Sequence, residues 1–410
     1  MTVLRELRMR PPSRPARAWD ASTVTRLVLA GTVIFVLLVG ANLATPLYPL
    51  LQARLGFDSF GLTVAFSAYV LSLIGGLVLF GHWSDHIGRR AALVLAVVVG
   101  LAGGLVFGLA GSLPLLVLGR ALQGLAVALA TGASAAALRE LLPARPEWAS
   151  RFTLLASSGG VAVGPVAGGL LSLLPDGSQA PFLVHSIVLA ALLVPLLLLD
   201  ARPAIGASGR GPAVLLPRRP TVSRRARGTF WMAALTGFLS FAVFGFCLSL
   251  APGYFAHIMH ADSRPVIGLL AALTLACSAL SQLVSLRGRF LVPAGLLVLG
   301  ASVVLFAVAG AVGSPWLLVA AGMGAGLGQG VAFRVVFNNV AGAAEPGRQA
   351  QIVSAVYIVT YLGSALPVLG LGMAVRVWDL QGCVAWFATA VAAACAVLAV
   401  VSVRHPTGGR

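Results

Sequence analysis

The sequence predicts an all-α membrane protein, with twelve transmembrane helices arranged as two six-helix bundles. Three observations lead there. Of the 410 residues, 59% are hydrophobic and only 10% charged, whereas an ordinary soluble domain carries about 25% charged residues. The apolar residues fall in long runs, and a run of about 20 crosses a bilayer as a helix. The one long polar stretch, residues 200–229, lies mid-chain with six apolar runs on either side. A soluble enzyme of several domains is excluded, because a chain this apolar could not cover its surface with polar groups.

Taken in order, the expected spans are 26–48, 61–81, 91–111, 115–137, 153–174 and 182–199, then 230–255, 266–285, 290–311, 316–340, 352–372 and 383–403. The first is too long for a signal-peptide core and lacks a cleavage site, so it is expected to be retained. The organisation is then a basic tail (1–25), an N-terminal bundle (26–199), an Arg-rich linker (200–229), a C-terminal bundle (230–403) and a short tail (404–410). Pro11, Pro12 and Pro15 interrupt the basic tail, which reads as a topology anchor drawn to anionic lipid.

Every one of the 28 basic residues is Arg. The absence of Lys excludes a P-loop lysine, a Schiff-base lysine and a Ser-x-x-Lys nucleophile. With the N-terminus inside, 23 Arg fall in inside segments and only Arg54, Arg264 and Arg376 outside. That asymmetry predicts cytoplasmic termini and a cytoplasmic linker. It also explains the net charge of +17 without nucleic acid. Arg120 and Arg334 lie within spans. An arginine at such depth is costly and usually functional, though both lie near enough to a span end to snorkel.

The four cysteines sit in apolar runs without a C-x-x-C pair, so no disulfide framework or zinc site is expected. His82 with His86, and His257 with His260 and Asp262, lack further ligands. No metal, cofactor or catalytic constellation is expected. The Gly-rich run 322–330 lies inside an apolar span, which reads as helix packing and not a phosphate loop. The eleven acids all lie in loops or at helix ends, leaving Asp58, Asp85 and His185 as candidates for any proton site.

The two halves repeat weakly. Gln123-Gly124 in span 4 is matched by Gln329-Gly330 in span 10, and Gly164-Pro165 in span 5 by Pro367 in span 11.

Three motifs carry mechanism. Between spans 2 and 3, Gly81, Asp85, Gly88, Arg89, Arg90 and Leu93 follow the spacing G-x-x-x-D-x-x-G-R-R-x-x-L. Physically this is a tight turn holding an anion beside two arginines. In span 4, Arg120, Gln123 and Gly124 form R-x-x-Q-G. In span 5, Gly160, Gly164, Pro165, Gly168 and Gly169 form G-x-x-x-G-P-x-x-G-G. Its small-residue stripe lets a neighbouring helix approach closely, and its proline kinks the helix.

Together these motifs resemble those of the major facilitator superfamily, and the span 5 pattern resembles the antiporter signature of its drug-exporting branch. The resemblance covers nearly the whole chain. It implies alternating access around a midplane cavity lined by helices 1, 4, 7 and 10, with Asp85 in a cytoplasmic latch and Arg120 handling charge. Asn42, Arg120, Gln123 and Gln329 would be polar cavity contacts, and Phe241, Phe246 and Tyr361 apolar ones. The expected function is export of small amphiphilic compounds from the cell (inner) membrane by a monomer, with the proton as a candidate coupling ion that the absence of a buried acid leaves open. Many relatives hold a carboxylate deep in helix 1; this chain has Asn42 and Thr45 there. With Arg120 and no buried acid, neutral, zwitterionic or anionic cargo is expected over cations. The alternatives are a carrier of a specific sugar, amino acid or organic anion, and a non-transporting receptor or membrane enzyme on the same fold.

Overall fold

The computed structural model describes residues 2–7, 19–200, 227–259, 263–284, 288–343 and 349–404. Among these, twelve helices are long and apolar enough to cross a membrane. In the first half they are α1 (Thr23–Asn42), α2 (Ser59–Phe80), α3 (Arg89–Gly108), α4 (Leu113–Leu141), α5 (Pro146–Leu171) and α6 (Ala180–Leu198). In the second half they are α7 (Arg227–Leu248), α8 (Arg264–Leu283), α9 (Leu291–Val312), α10 (Pro315–Ala343), α11 (Gln349–Ala374) and α12 (Leu380–Arg404). Most of the basic tail and the linker, and His260 and Asp262, lie outside the described residues.

Local chemistry fixes where the helices start. The Ser22 hydroxyl accepts from the Thr25 amide to cap α1. Pro114, Pro181 and Pro265 occupy the first turns of α4, α6 and α8, where a missing N–H costs nothing. The α1 span does not end at Asn42. It passes through a 3-10 turn at Thr45–Leu47 and resumes as Tyr48–Leu55, with Pro46 and Pro49 at the break. After α7 the chain likewise resumes as Ala251–Met259, with Pro252 near its start.

The solvent for these helices is lipid. Large apolar side chains stay exposed along the spans, including Ile187 at 69% and Val312 at 68%, which water would penalise. Trp148, Trp231, Trp316 and Trp378 are exposed near helix ends, where amphipathic rings sit at the headgroup level.

Contacts divide the chain into two compact units. The first contains residues 1–43, 71–164 and 171–218; the second contains 44–70, 165–170 and 219–410. In the first unit α3 packs on α4 and α6, and α1 on α4. In the second, α9 packs on α10 and α12, and α7 on α10. The same pairings recur six helices apart, as an internal repeat requires. The units do not follow the sequence halves strictly, because the continuation of α1, most of α2 and a short piece of α5 cluster with second-half helices.

Candidate functional site

At the Asp85 end of the first unit, Gly88 adopts φ 92°, ψ 152°, a conformation for which glycine has no Cβ penalty. It separates the short helix Trp83–Ile87 from α3 and sets Arg89 at the start of α3. Arg89 then donates to Asp85 at 2.5 Å, to Glu140 at 2.8 and 3.0 Å, and to Ser84 at 2.6 Å. Asp85 thus forms part of a charge cluster whose other acid, Glu140, comes from the last turn of α4. Arg90 turns inward. Only 7% exposed, it donates to Glu6 of the short helix Thr2–Leu7 and to the Leu199 carbonyl. Burial pushes the Glu6 carboxyl above its usual range, against the pull of Arg90. Arg26 donates to the Ala21 and Asp200 carbonyls and to Asp20. These groups surround a cavity of about 570 Å³.

In the interior of the first unit, Arg120 is 2% exposed and does not snorkel. It donates to the Ala41 carbonyl at 2.5 Å and to Gln123 at 2.9 Å, joining α4 to the end of α1. Asn42 donates to Leu38 within its own helix at 2.8 Å. His185 on α6 reaches the Val36 carbonyl through Nε2 at 2.9 Å, while its Nδ1 is buried without a partner among the described residues.

The glycine stripe of α5 makes close helix contacts. A Cβ on Gly160 would lie 2.5 Å from the Phe35 carbonyl oxygen, and one on Gly164 would lie 2.6 Å from Asn42 Cβ. Beyond Pro165, Gly169 faces the backbone of Arg264 and Pro265, where a Cβ would come within 2.6 Å. Gly268 of α8 packs equally closely on the Pro165 carbonyl. The division between the two units falls at Gly164/Pro165.

In the second unit, Gln329 on α10 accepts from Ser278 on α8 and is 2% exposed. Arg334 donates to the Gln282 and Val284 carbonyls, covering the C-terminal end of α8, as cationic side chains favour. Two aromatic clusters are present. One joins Phe246, Tyr254, Phe255 and Phe306, all at most 2% exposed; its Tyr254 hydroxyl donates to the Phe306 carbonyl and to Gln381. The other joins Phe241, Phe333, Phe337, Tyr357 and Tyr361. Cys247, Cys383 and Cys395 are buried and Cys277 half-buried, all as free thiols.

At the Asp58 end, Asp58 accepts from the Gly61 amide at 2.8 Å, covering the start of α2. Its other oxygen accepts from Arg376, beyond α11, at 2.6 Å. The Arg376 guanidinium also lies 4.6 Å from the Phe60 ring centre. The Gly61 amide first and Arg376 second hold the Asp58 carboxyl below its ordinary range.

The profile of the Major Facilitator Superfamily matches residues 30–366. The chain belongs to that superfamily. Within it, the chain is 32% identical to the puromycin resistance protein of Streptomyces alboniger over 188 residues, 44% of this chain and 35% of that protein. It is 30% identical to the class E tetracycline resistance protein of Escherichia coli over 167 residues, 38% of this chain and 39% of that protein. The chain thus spans little over a third of the length of these curated relatives. Among solved structures it is similar to a bacterial homologue of the human lysosomal transporter Spinster, with TM-score 0.73, 15% identity and 96% coverage of both chains. It is also similar to a nucleoside transporter, with TM-score 0.73, 14% identity, and coverage of 93% of this chain and 99% of that one. At these identities the likeness concerns the fold.

Seen as a superfamily member, the chain brings some expected residues together and keeps others apart. Arg120 and Gln123 touch, as do Phe241 and Tyr361. Asn42, Arg120, Gln123, Gln329 and Phe246 are buried against protein in this state, at 7% exposure or less. Phe246 belongs to a different cluster from Phe241. Sequence reading missed Glu140, Glu6 and the Asp58–Arg376 pair. Glu140 had a usable signal: it lies at the end of span 4 that the Arg asymmetry places on the Asp85 side. Among the described residues, no group of three His, Cys, Asp or Glu could hold a metal ion.

Proposed function

We propose that the chain is a secondary active exporter of small amphiphilic compounds, working by alternating access between two six-helix bundles, 26–199 and 230–403. The observation that carries this reading is α5. Its antiporter-type glycines pack against α1 before Pro165 and against α8 after it, so one proline-containing helix touches both parts that would have to move. The two resistance proteins among its relatives support export over import. The 23-to-3 Arg asymmetry supports cytoplasmic termini in the cell (inner) membrane. The chain acts as a monomer. Where export is proton-coupled, the groups available are Asp58, Asp85 and His185, since no acid lies deep in the spans.

The test is expression in a strain stripped of its own exporters, challenged with puromycin and with tetracycline. Raised tolerance with lower cellular accumulation is expected. Increased accumulation of either drug would overturn export in favour of import. Reporter fusions at both termini and near Arg218 should all read cytoplasmic; an external reading at any of them overturns the topology.

A further inference from the structure

Two neighbouring glycines of α3 face different surroundings. A Cβ on Gly103 would lie 2.9 Å from the Gln123 amide nitrogen and 3.1 Å from the Gly119 carbonyl oxygen, so that glycine lets the α4 backbone approach. Gly104 has no backbone against it. Apart from its own helix, a Cβ there would meet only two atoms within 4 Å, Ser186 Oγ at 3.2 Å and His185 Nδ1 at 3.7 Å. Both residues sit on α6 and are more than nine-tenths buried, at 4% and 8% exposure. Neither atom has a hydrogen-bond partner among the described residues.

The second ring nitrogen fixes what Nδ1 can do. Nε2 lies 2.9 Å from the Val36 carbonyl oxygen, and a carbonyl only accepts, so Nε2 carries the hydrogen. In the neutral ring Nδ1 is then an acceptor. The ring is held there, filling the place that a side chain on Gly40 of α1 would take. Ser186 departs from its kind. Thr131, Thr153, Ser240 and Ser249 each donate to the carbonyl four residues back in their own helices, as hydroxyls in helices commonly do. The Ser186 hydroxyl lies on the Gly104 side instead. A buried lone pair and a buried hydroxyl are costly when left unmatched. An apolar occupant would leave that cost in place, and a metal cation would find a single oxygen.

We propose that Gly104 keeps open a binding site for one ordered water molecule, which donates to His185 Nδ1 and shares a hydrogen bond with Ser186 Oγ. Water is small, both donates and accepts, and needs at least two polar partners to stay buried. Both partners lie near hydrogen-bond reach of the same point beside Gly104. The molecule completes a polar chain that runs from the Val36 carbonyl of α1 through the imidazole to the α6 hydroxyl. Gly104 is therefore a solvent-holding glycine, whereas Gly103 beside it is a packing one. The site is independent of the direction of transport and of the cargo.

The test reads melting temperatures of full-chain variants in lipid nanodiscs, together with a cryo-EM map sharp enough to resolve ordered water. Were the site dry, Ser186→Ala would delete an unsatisfied hydroxyl and raise the melting temperature. Gly104→Ala would raise it too, alanine being the better helix former. With water bound the signs reverse. Ser186→Ala removes one of the two partners, and Gly104→Ala displaces the water and strands both polar atoms. Each variant is expected to melt below wild type, Gly104→Ala the lower of the two. The double variant Gly104→Ala/Ser186→Ala relieves the 3.2 Å contact while still stranding Nδ1, so it should also stay below wild type. A higher melting temperature in Ser186→Ala, or recovery of the double variant to wild type, overturns the water site in favour of simple crowding. In the map, a peak within about 3.2 Å of both atoms is expected. A map that resolves water elsewhere in the protein and shows no peak there also overturns it.

Discussion

Arg89 divides one guanidinium between two carboxylates, Asp85 and Glu140, at the junction of α3 and α4. Both carboxylates are partly exposed, and such pairs contribute at most about 1 kcal/mol each. Asp85→Asn and Glu140→Gln should therefore barely shift the melting temperature while each lowers drug export several-fold, measured at equal membrane abundance. Equal export in the Glu140 variant and wild type would confine the latch to Asp85. Arg120 behaves differently because it is buried. Arg120→Ala strands the Ala41 carbonyl and Gln123, and unsatisfied buried groups cost about 1–3 kcal/mol each. Export should be abolished and melting lowered together. Arg120→Lys should rescue poorly, since an ammonium lacks the planar fork. Glu6 supplies a pH test. Its folded pKa is raised by burial, so the docked Thr2–Leu7 helix favours the protonated carboxyl. That stabilisation is complete below the unfolded value and is lost as pH rises through the raised one. Amide exchange in residues 2–7, corrected for intrinsic rates, should be slower in mildly acidic than in mildly alkaline buffer, and Glu6→Gln should remove the difference.

Among the elements, α5 joins close packing to an internal proline, Pro165. Gly164 lies where a Cβ would meet Asn42 Cβ at 2.6 Å and the Val39 carbonyl oxygen at 2.8 Å. The carbonyl is backbone and cannot rotate away, so Gly164→Val must push α5 off α1. Overpacking of this kind costs about 1–3 kcal/mol, and a comparable fall in thermal stability with loss of export is expected. Pro165→Ala restores a backbone donor and straightens the helix. It should leave stability unchanged or higher while slowing export. The spans themselves were legible from hydropathy, because lipid imposes one length on every crossing element. Their ends were less so. The helical end of α4 runs past the apolar stretch, where polar residues such as Arg139 and Glu140 are good enough helix formers to continue. Glu140 and Glu6 escaped sequence reading for a related reason: hydropathy reports depth in the membrane and not azimuth around a helix. Which acid reaches which arginine is set by packing between segments 51 and 84 residues apart. Pairing of Arg120 with the Ala41 carbonyl was equally hidden, since every residue carries a carbonyl and none announces itself.

On the scale of the whole molecule, Asp58 and Arg376 are separated by 318 residues yet meet at 2.6 Å, tying the start of α2 to the end of α11. With the Asp58 pKa depressed, the pair is present above the ordinary carboxylate range and lost only as pH falls through the lowered value. No change of state through this clasp is expected near neutral pH. An exposed pair worth about 0.5 kcal/mol shifts a two-state balance roughly twofold. Arg376→Ala and Asp58→Asn should each change export rates by about that factor, with the double variant no worse than either single one. A sum of effects in the double variant would mean the two residues act separately.

The state of the sulfur atoms has a practical consequence for spectroscopy. Three of the four thiols are sealed in the helix interior and the fourth is only half accessible, while the sequence holds no lysine. A Cys277→Ser chain would therefore be an almost silent background for maleimide chemistry, with little competing reactivity toward side-chain amines. Spin or dye pairs placed on any two helices would report distances between those helices alone, without first rebuilding the core.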